Sequence, residues 1–73
     1  MTLQEKVGKT IKKLRKGQGF SQEAFALETS IDRRYMSDIE NGKRNISLEI
    51  LDRICQKLNL KISELFVETE RLE

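Results

Sequence analysis

The spacing of apolar residues is the feature that most constrains this chain. They recur three or four positions apart, no stretch of useful length alternates apolar and polar residues, and proline is absent. That period is typical of helices with one buried face, whereas a half-buried strand would alternate. We therefore predict an all-α fold, and 73 residues allow one domain with a marginal core.

Residues that open and close helices divide the chain into five predicted helices. Serine and aspartate side chains accept a hydrogen bond from a backbone N–H at a helix start, and glycine tolerates the left-handed backbone that ends one. The predicted ranges are about 3–16, 22–28, 33–40, 48–58 and 64–71, with Ser21, Asp32, Ser47 and Ser63 as N-caps. The breaks between helices contain Gly17, Gly19, Asn41, Gly42 and Asn59.

Each predicted helix has one apolar face. The buried stripes are expected to contain Leu3, Val7, Ile11 and Leu14 in the first helix, Phe25 and Ala26 in the second, Met36 and Ile39 in the third, Leu48, Leu51, Ile54, Cys55 and Leu58 in the fourth, and Leu65 and Phe66 in the fifth. Phe20 is placed to pack on Phe25 across the cap of the second helix. The other faces of the first helix carry Lys6, Lys9, Lys12, Lys13 and Lys16.

Several classes of function lack the residues they need. The chain has no histidine and one cysteine, Cys55, so we expect neither a disulfide nor a zinc site, and we expect Cys55 to be a buried thiol. No metal, cofactor or enzymatic activity is predicted. No apolar run approaches the roughly 20 residues of a membrane span, and the N-terminus has no signal-peptide core. We expect a cytoplasmic protein with no membrane partner.

Charge is distributed unevenly along the chain. Residues 1–45 carry ten Lys and Arg against six Asp and Glu, whereas residues 46–73 carry four against six. The first part is therefore net basic and the second net acidic, although the whole chain is only +2. A basic half is compatible with binding a polyanion, and equally with an ordinary scatter of surface charge.

The most informative stretch is residues 21–45, which is predicted to form two short helices joined by a tight turn. Arg33 and Arg34 lie on the first turn of the second of these helices, and Lys43 and Arg44 follow its end. A short helix with arginines at its start and a basic loop after its end suits docking into the major groove of DNA. We therefore predict a DNA-binding surface here.

The second half of the chain has more apolar residues than the monomer core can use. A small protein with surplus apolar surface commonly pairs with another molecule, and a two-fold homodimer is the commonest outcome. We predict that residues 46–73 form a dimerisation region, while the alternative is that these side chains complete the edge of the monomer core. The predicted interface residues are Ile46, Ile50, Ile62, Leu65 and Val67.

Several segments resemble those of the phage repressor and Cro-like (XRE-type) helix-turn-helix regulators. They are Gln22-Glu23-x-Phe25-Ala26, Ile31-Asp32-Arg33, Tyr35-Met36-Ser37, Ile39 to Leu48, and Leu58-x-Leu60. The chain is most similar to the small controller proteins of bacterial restriction–modification systems. The resemblance implies a compact five-helix bundle in one domain, residues 1–73, with the motif at about 21–41. A departure from the family is Ser30, at a turn position that is often glycine.

The resemblance and the chemistry of the side chains together assign roles to individual residues. Arg33, Arg34 and Ser37 are predicted to contact bases, because arginine can donate two parallel hydrogen bonds to guanine. Phosphate contacts are predicted for Gln22, Tyr35, Lys43, Arg44 and Asn45. For Tyr35 a half-buried packing ring is the alternative. The resemblance also implies an ion pair between Arg15 and Glu40, joining the first helix to the recognition helix.

The predicted function is sequence-specific transcriptional regulation by a homodimer on a two-fold symmetric operator in double-stranded DNA. The resemblance to controller proteins implies both repression, by blocking RNA polymerase, and activation, by contacting it, with two dimers able to share one operator. The alternative is a helix-turn-helix antitoxin or adaptor whose main role is to bind another protein.

Overall fold

The computed structural model describes residues 1–72, which form five α-helices. The helices span Leu3–Gly17 (α1), Gln22–Thr29 (α2), Arg33–Glu40 (α3), Leu48–Leu58 (α4) and Ile62–Glu70 (α5). The all-α prediction is confirmed, and the first four helices begin where the sequence predicted. Helix α1 contacts each of the other four helices and is therefore the central element.

Three of the predicted N-caps are present. The side chains of Ser21, Asp32 and Ser47 each accept a hydrogen bond from a backbone N–H in the first turn of α2, α3 and α4. Ser30 and Asn59 end α2 and α4 in the left-handed conformation, with φ of 57° and 58°. These five residues fix the starts of α2, α3 and α4 and the ends of α2 and α4.

The core lies where the apolar faces of the five helices meet. Its fully buried large side chains are Ile11, Phe25, Met36, Ile39, Ile54, Leu58 and Leu65. The rings of Phe20 and Phe25 have centroids 5.4 Å apart, so the predicted contact across the cap of α2 is confirmed. Most of the core therefore follows from the helical period of the sequence.

The predictions for two core residues and for one helix cap are wrong. Leu3 and Leu48 are 64% and 82% exposed, because each lies in the first turn of its helix, where the chain enters from the surface. Helix α5 begins at Ile62, not Glu64, and Ser63 is not its cap. The helix starts earlier because Glu64 accepts a hydrogen bond from the backbone N–H of Lys61, 2.8 Å from its Oε1.

Helix α1 begins with a capping box that the sequence analysis did not identify. The hydroxyl of Thr2 accepts a hydrogen bond from the N–H of Glu5 at 3.1 Å, and Glu5 Oε1 accepts one from the N–H of Thr2 at 2.7 Å. The bond from this backbone N–H, followed by the contact with the Thr2 hydroxyl, holds the pKa of Glu5 below its ordinary value. The reciprocal pair satisfies two N–H groups that would otherwise lack partners.

Gly8 allows α1 and α3 to pack in backbone contact. A Cβ atom at this position would lie 2.1 Å from the carbonyl oxygen of Ile39 and 3.0 Å from that of Glu40. The sequence analysis did not single out Gly8, although a glycine inside a helix commonly has a packing reason. The close approach places the buried side of α3 directly on α1 and so directs its other side to solvent.

Replacing Gly8 with alanine is expected to destabilise the protein, because the added methyl group meets rigid backbone. Overpacking of this kind typically costs about 1–3 kcal/mol. Gly17→Ala is the matched control, since a Cβ there meets nothing within 4 Å and alanine is the better helix former by about 1 kcal/mol. Urea unfolding should give a lower midpoint for Gly8→Ala and an equal or higher one for Gly17→Ala. Equal midpoints for Gly8→Ala and the wild type would contradict the packing argument.

Candidate nucleic-acid interface

The turn between α2 and α3 sets the direction of α3. Ser30 takes the left-handed conformation at a cost of about 1–2 kcal/mol for a non-glycine residue. The N–H of Ile31 then donates to the carbonyl of Ala26 at 2.9 Å, and the Ile31 side chain is buried. Arg53 of α4 donates from Nη1 to the carbonyl of Ser30 at 3.1 Å, a contact that sequence reasoning missed. The turn is therefore fastened to α4 as well as to the core.

One face of α3 lies outside the core. Met36, Ile39 and Glu40 are buried, whereas Arg33 and Arg34 are exposed and Ser37 is half-buried. The three predicted base-contacting residues lie together along one shallow polar depression, which is lined by Gln22, Arg33, Arg34, Ser37 and Asp38. The fold thus presents these donors side by side on the surface.

The two arginines differ in what they contact. Arg33 Nη1 lies 3.4 Å from Glu23 Oε2, and both side chains are largely exposed, so this ion pair is weak. Arg34 takes part in no ion pair with any of residues 1–72. Since Arg34 also lies opposite the buried face of α3, it is the more accessible donor of the pair.

Asp38 would oppose a phosphate, but a cation screens it. Arg44 Nε lies 3.3 Å from Asp38 Oδ2, and the Arg44 guanidinium lies 5.1 Å from the centroid of the Tyr35 ring. Tyr35 is half-buried against the core, as the packing alternative predicted. The contact of Arg44 or Tyr35 with phosphate stays a prediction.

Of the remaining phosphate candidates, Gln22 lines the same depression, and Lys43 and Asn45 lie in the loop after α3. Gln22 opens α2 and donates from Nε2 to Glu40 Oε1 at 3.1 Å, which leaves the other hydrogen of its amide for a further acceptor. Lys43 is exposed in the loop after α3. Asn45 is also exposed, and its Oδ1 accepts a hydrogen bond from Gln4 at 2.6 Å. Each of these side chains therefore has donor capacity that no intramolecular bond uses.

Arg15 and Glu40 form the predicted ion pair between α1 and α3. Arg15 Nε lies 2.6 Å from Glu40 Oε2, and Nη2 lies 2.9 Å from Oε1. The residues are 5% and 6% exposed, and Nη1 donates to the carbonyl of Phe20 at 3.0 Å. Because Gln22 bonds the same carboxylate, Glu40 connects the first three helices.

The predicted dimer residues differ in how far they are buried. Leu65 is fully buried in the monomer core, because α5 turns this position toward α1, so its assignment to an interface is wrong. Ile46 and Ile50 are half-buried against the core, while Ile62 and Val67 are 41% and 48% exposed. The expectation of surplus apolar surface is correct for the last two.

An apolar groove of about 330 Å³ lies beside the loop between α3 and α4. Its lining residues are Leu3, Gln4, Val7, Asn45, Ile46, Leu48, Leu51 and Phe66. Leu48 is the most exposed large apolar residue at its rim, although the sequence analysis placed it in the core. Leu3 and Leu48, the two leucines that were predicted to be core residues but are exposed, therefore both line this groove.

Residues 1–72 contain no group of three or more His, Cys, Asp or Glu arranged to hold a metal ion. Within the same residues, no helix has the length and apolar character required to traverse a bilayer. Cys55 is buried, and burial followed by the nearby charge of Asp52 raises the pKa of its thiol. A raised pKa keeps the thiol protonated at neutral pH and therefore unreactive.

Comparison with known proteins gives the class to which this fold and surface belong. The family model described as helix-turn-helix matches residues 11–65, which include α2, α3 and α4 completely. The chain therefore belongs to the XRE-type helix-turn-helix family of DNA-binding regulators, a family of binding proteins and not of enzymes.

Individual relatives extend over most of the chain. Control protein C.MunI from Mycoplasma sp is 49% identical over 65 residues, which are 88% of this chain and 88% of that protein. The crystal structure of restriction-modification controller protein C.AhdI from Aeromonas hydrophila covers 85% of this chain and 94% of its own, with a TM-score of 0.81 and 35% identity. Antitoxin PezA from Streptococcus pneumoniae is 39% identical over 66 residues, 90% of this chain but 42% of PezA.

Breaking the pair of Arg15 and Glu40 is expected to destabilise the fold strongly. Removing one partner leaves a buried charge without compensation, which typically costs about 3–5 kcal/mol. Arg15→Ala and Glu40→Ala should each lower the urea midpoint, and the double variant should lose much less than the sum. Arg71→Ala is the control, because its pair with Glu68 is exposed and is expected to contribute under about 1 kcal/mol. Unchanged midpoints for both single variants would contradict the role of the pair.

Proposed function

We propose that the protein is a homodimeric, sequence-specific transcriptional regulator, and that its role is that of the controller of a restriction–modification system. Two copies of α3 would enter successive major grooves, about 34 Å apart, on a two-fold symmetric operator. Residues 21–41 would read the DNA, and residues 46–72 would supply most of the contacts between copies. The proposed site of action is the cytoplasm.

The observation that carries this proposal is the exposed face of α3. Arg33, Arg34 and Ser37 lie side by side with free donors, on a helix whose opposite side is fixed to α1. Groove readout requires several donors held in one rigid arrangement, because bidentate arginine bonds depend on geometry. Gln22 beside this face, together with Lys43 and Asn45 in the loop after α3, would bind phosphates and set the register without reading bases.

The controller role is supported by relatives that match most of this chain. C.MunI and C.AhdI carry that role in their names, and the aligned parts are 88% and 94% of those chains. The antitoxin alternative has its own support in PezA, but the aligned part is only 42% of that protein. A domain shared with a longer protein supports the motif and leaves more than half of PezA unmatched. We therefore favour the controller.

Control of transcription would follow from where the dimer binds. A dimer that overlaps the polymerase site would repress, and one beside it would activate by contact with RNA polymerase. As the protein accumulates, a second dimer that binds an adjacent site would change repression to activation or activation to repression. Binding near its own promoter would make the protein control its own gene.

The proposed contact between copies is the apolar groove together with Leu48 at its rim. A second copy is the proposed occupant, because the groove and the exposed leucine lie on one face, and a two-fold axis would place each Leu48 against the other copy's groove. Ile46 and Phe66 line the same groove. Val67 lies in a different depression, beside Leu14 and Leu60, and is not included in this contact.

Selection of bound DNA from a random pool is expected to yield a palindrome with guanines placed symmetrically. On the selected duplex, Arg34→Ala should lower the affinity by about 1–3 kcal/mol and relax the preference for one base pair in each half-site. Lys43→Ala should lower the affinity for selected and random duplex by the same factor, because phosphate contacts do not read sequence. Fluorescence anisotropy titrations measure both.

Two outcomes would contradict the proposal. If neither the upstream region of its own gene nor any selected duplex binds better than random duplex, the protein is not a sequence-specific regulator. If no duplex binds even at low salt, the antitoxin or adaptor role becomes the better explanation.

Leu48→Glu is expected to convert the dimer to a monomer with an intact fold. The Leu48 side chain is 82% exposed in the monomer, so a glutamate carboxylate at this position stays hydrated there and does not disturb the fold. The carboxylate would be buried, and would oppose association, only when two copies meet. Leu27→Glu is the matched control, because Leu27 is 79% exposed on α2, outside the groove. Sedimentation velocity should show a dimer for wild type and Leu27→Glu and a monomer for Leu48→Glu. A dimer in all three would place the interface elsewhere.

A further inference from the structure

The lysine face of α1 has no assigned role. Helix α1 carries five lysines, and none of them takes part in the ion pairs among residues 1–72. By contrast, five cations elsewhere in the described chain pair with an acid at the surface: Arg33, Arg44, Arg53, Lys57 and Arg71. Lysines that repel one another along one helix weaken it. Uncompensated positive charge of this kind attracts an anionic partner.

The position of Gly8 shows where this face lies relative to α3. Residues four apart share one face of a helix, so Gly8, Lys12 and Lys16 follow one ridge of α1. At its first member, this ridge touches the backbone of Ile39 and Glu40, the last turn of α3. Lys12 and Lys16 continue the same ridge into solvent, and both are exposed.

A second contact places the other end of the ridge beside α2. Arg15, adjacent to Lys16, is bonded to Glu40, and Gln22 donates to the same carboxylate. Lys16 therefore lies near the start of α2, where Gln22 is proposed to bind a phosphate. The ridge of Lys12 and Lys16 runs between the end of α3 and the start of α2, along the rim of the proposed DNA surface.

We propose that Lys12 and Lys16 contact the DNA backbone and extend the phosphate-binding surface from the motif onto α1. The inference rests on the proposed function. Lysine is suited to this role because its flexible stem carries a point charge that follows a phosphate without fixed geometry. Such contacts add affinity for any duplex and leave the choice of sequence to α3.

The salt dependence of binding is the measurement that tests this proposal. Each neutralised phosphate adds about 0.9 to the slope of log K against log salt. Lys12→Gln/Lys16→Gln should therefore reduce the slope by about two and weaken binding on the order of fivefold per lysine at 0.15 M salt. The losses on selected and on random duplex should be equal, so that the ratio of the two affinities is unchanged.

Lys6→Gln/Lys61→Gln is the matched control, because it removes the same two charges. Lys6 lies about 120° around α1 from Lys12 and ten residues, about 15 Å, from Lys16, and Lys61 precedes α5. This variant should keep the slope of the wild type. The urea midpoint of Lys12→Gln/Lys16→Gln should be equal to or above that of the wild type, because a repulsive pair is removed, so weaker binding would not reflect unfolding.

The possible results separate this proposal from the proposed function. A wild-type slope in Lys12→Gln/Lys16→Gln, or equal losses in both double variants, would overturn the role of α1 while DNA binding stands. Failure of the wild-type protein to bind any duplex would overturn the proposed function and this inference together. A slope reduced only in Lys12→Gln/Lys16→Gln would support the contact.

Discussion

The carboxylate of Glu40 is the point on which the arrangement of the first three helices depends. It accepts two bonds from Arg15 on α1 and one from Gln22 on α2, while belonging itself to the last turn of α3. A buried pair of this kind adds little net free energy compared with apolar residues of the same volume. What it adds is direction, because planar bidentate bonds hold one relative orientation of the helices they join. The exposed side of α3 takes its position from that orientation.

Backbone contact at Gly8 has a complementary effect. The ion pair fixes the angle of α3, and the missing side chain at Gly8 lets α3 lie against α1 without an intervening layer of side chains. Ser30 and Arg53 then fix the other end of α3 through the turn and α4. Helix α3 is only eight residues long and would not be stable alone, so its surface is defined by these contacts and not by its own hydrogen bonds.

Much of the fold could be predicted from the sequence, for identifiable reasons. The caps at Ser21, Asp32 and Ser47 are local features, and helical periodicity located the core residues Ile11, Met36 and Ile54. The two errors in the predicted core occurred where a local pattern does not determine burial. Leu3 and Leu48 fit apolar stripes but lie in first turns at the surface, and their neighbours in space come from other helices.

In the candidate site, too, local features could be predicted from the sequence, whereas contacts between distant residues could not. The exposure of Arg33 and Arg34 followed from the opposite, apolar face of α3, and the Arg15 and Glu40 pair followed from the family resemblance. The bond from Arg53 to the carbonyl of Ser30 and the groove that joins Leu3 to Leu48 connect residues far apart in the sequence. No period or motif predicts such contacts, because they depend on the angles between helices.

The contact between Arg44 and Asp38 would make the two proposed kinds of DNA contact, with bases and with phosphates, depend on each other. In the free protein, Arg44 screens a carboxylate on the face of α3 that would meet the bases. A phosphate that attracted Arg44 would leave Asp38 with its full negative charge in the groove. That charge is tolerated only next to a hydrogen-bond donor, which in the major groove is the amino group of cytosine or adenine. Arg44, which would itself contact only phosphate, would then influence which base pair is preferred, because its movement leaves the Asp38 carboxylate without a partner.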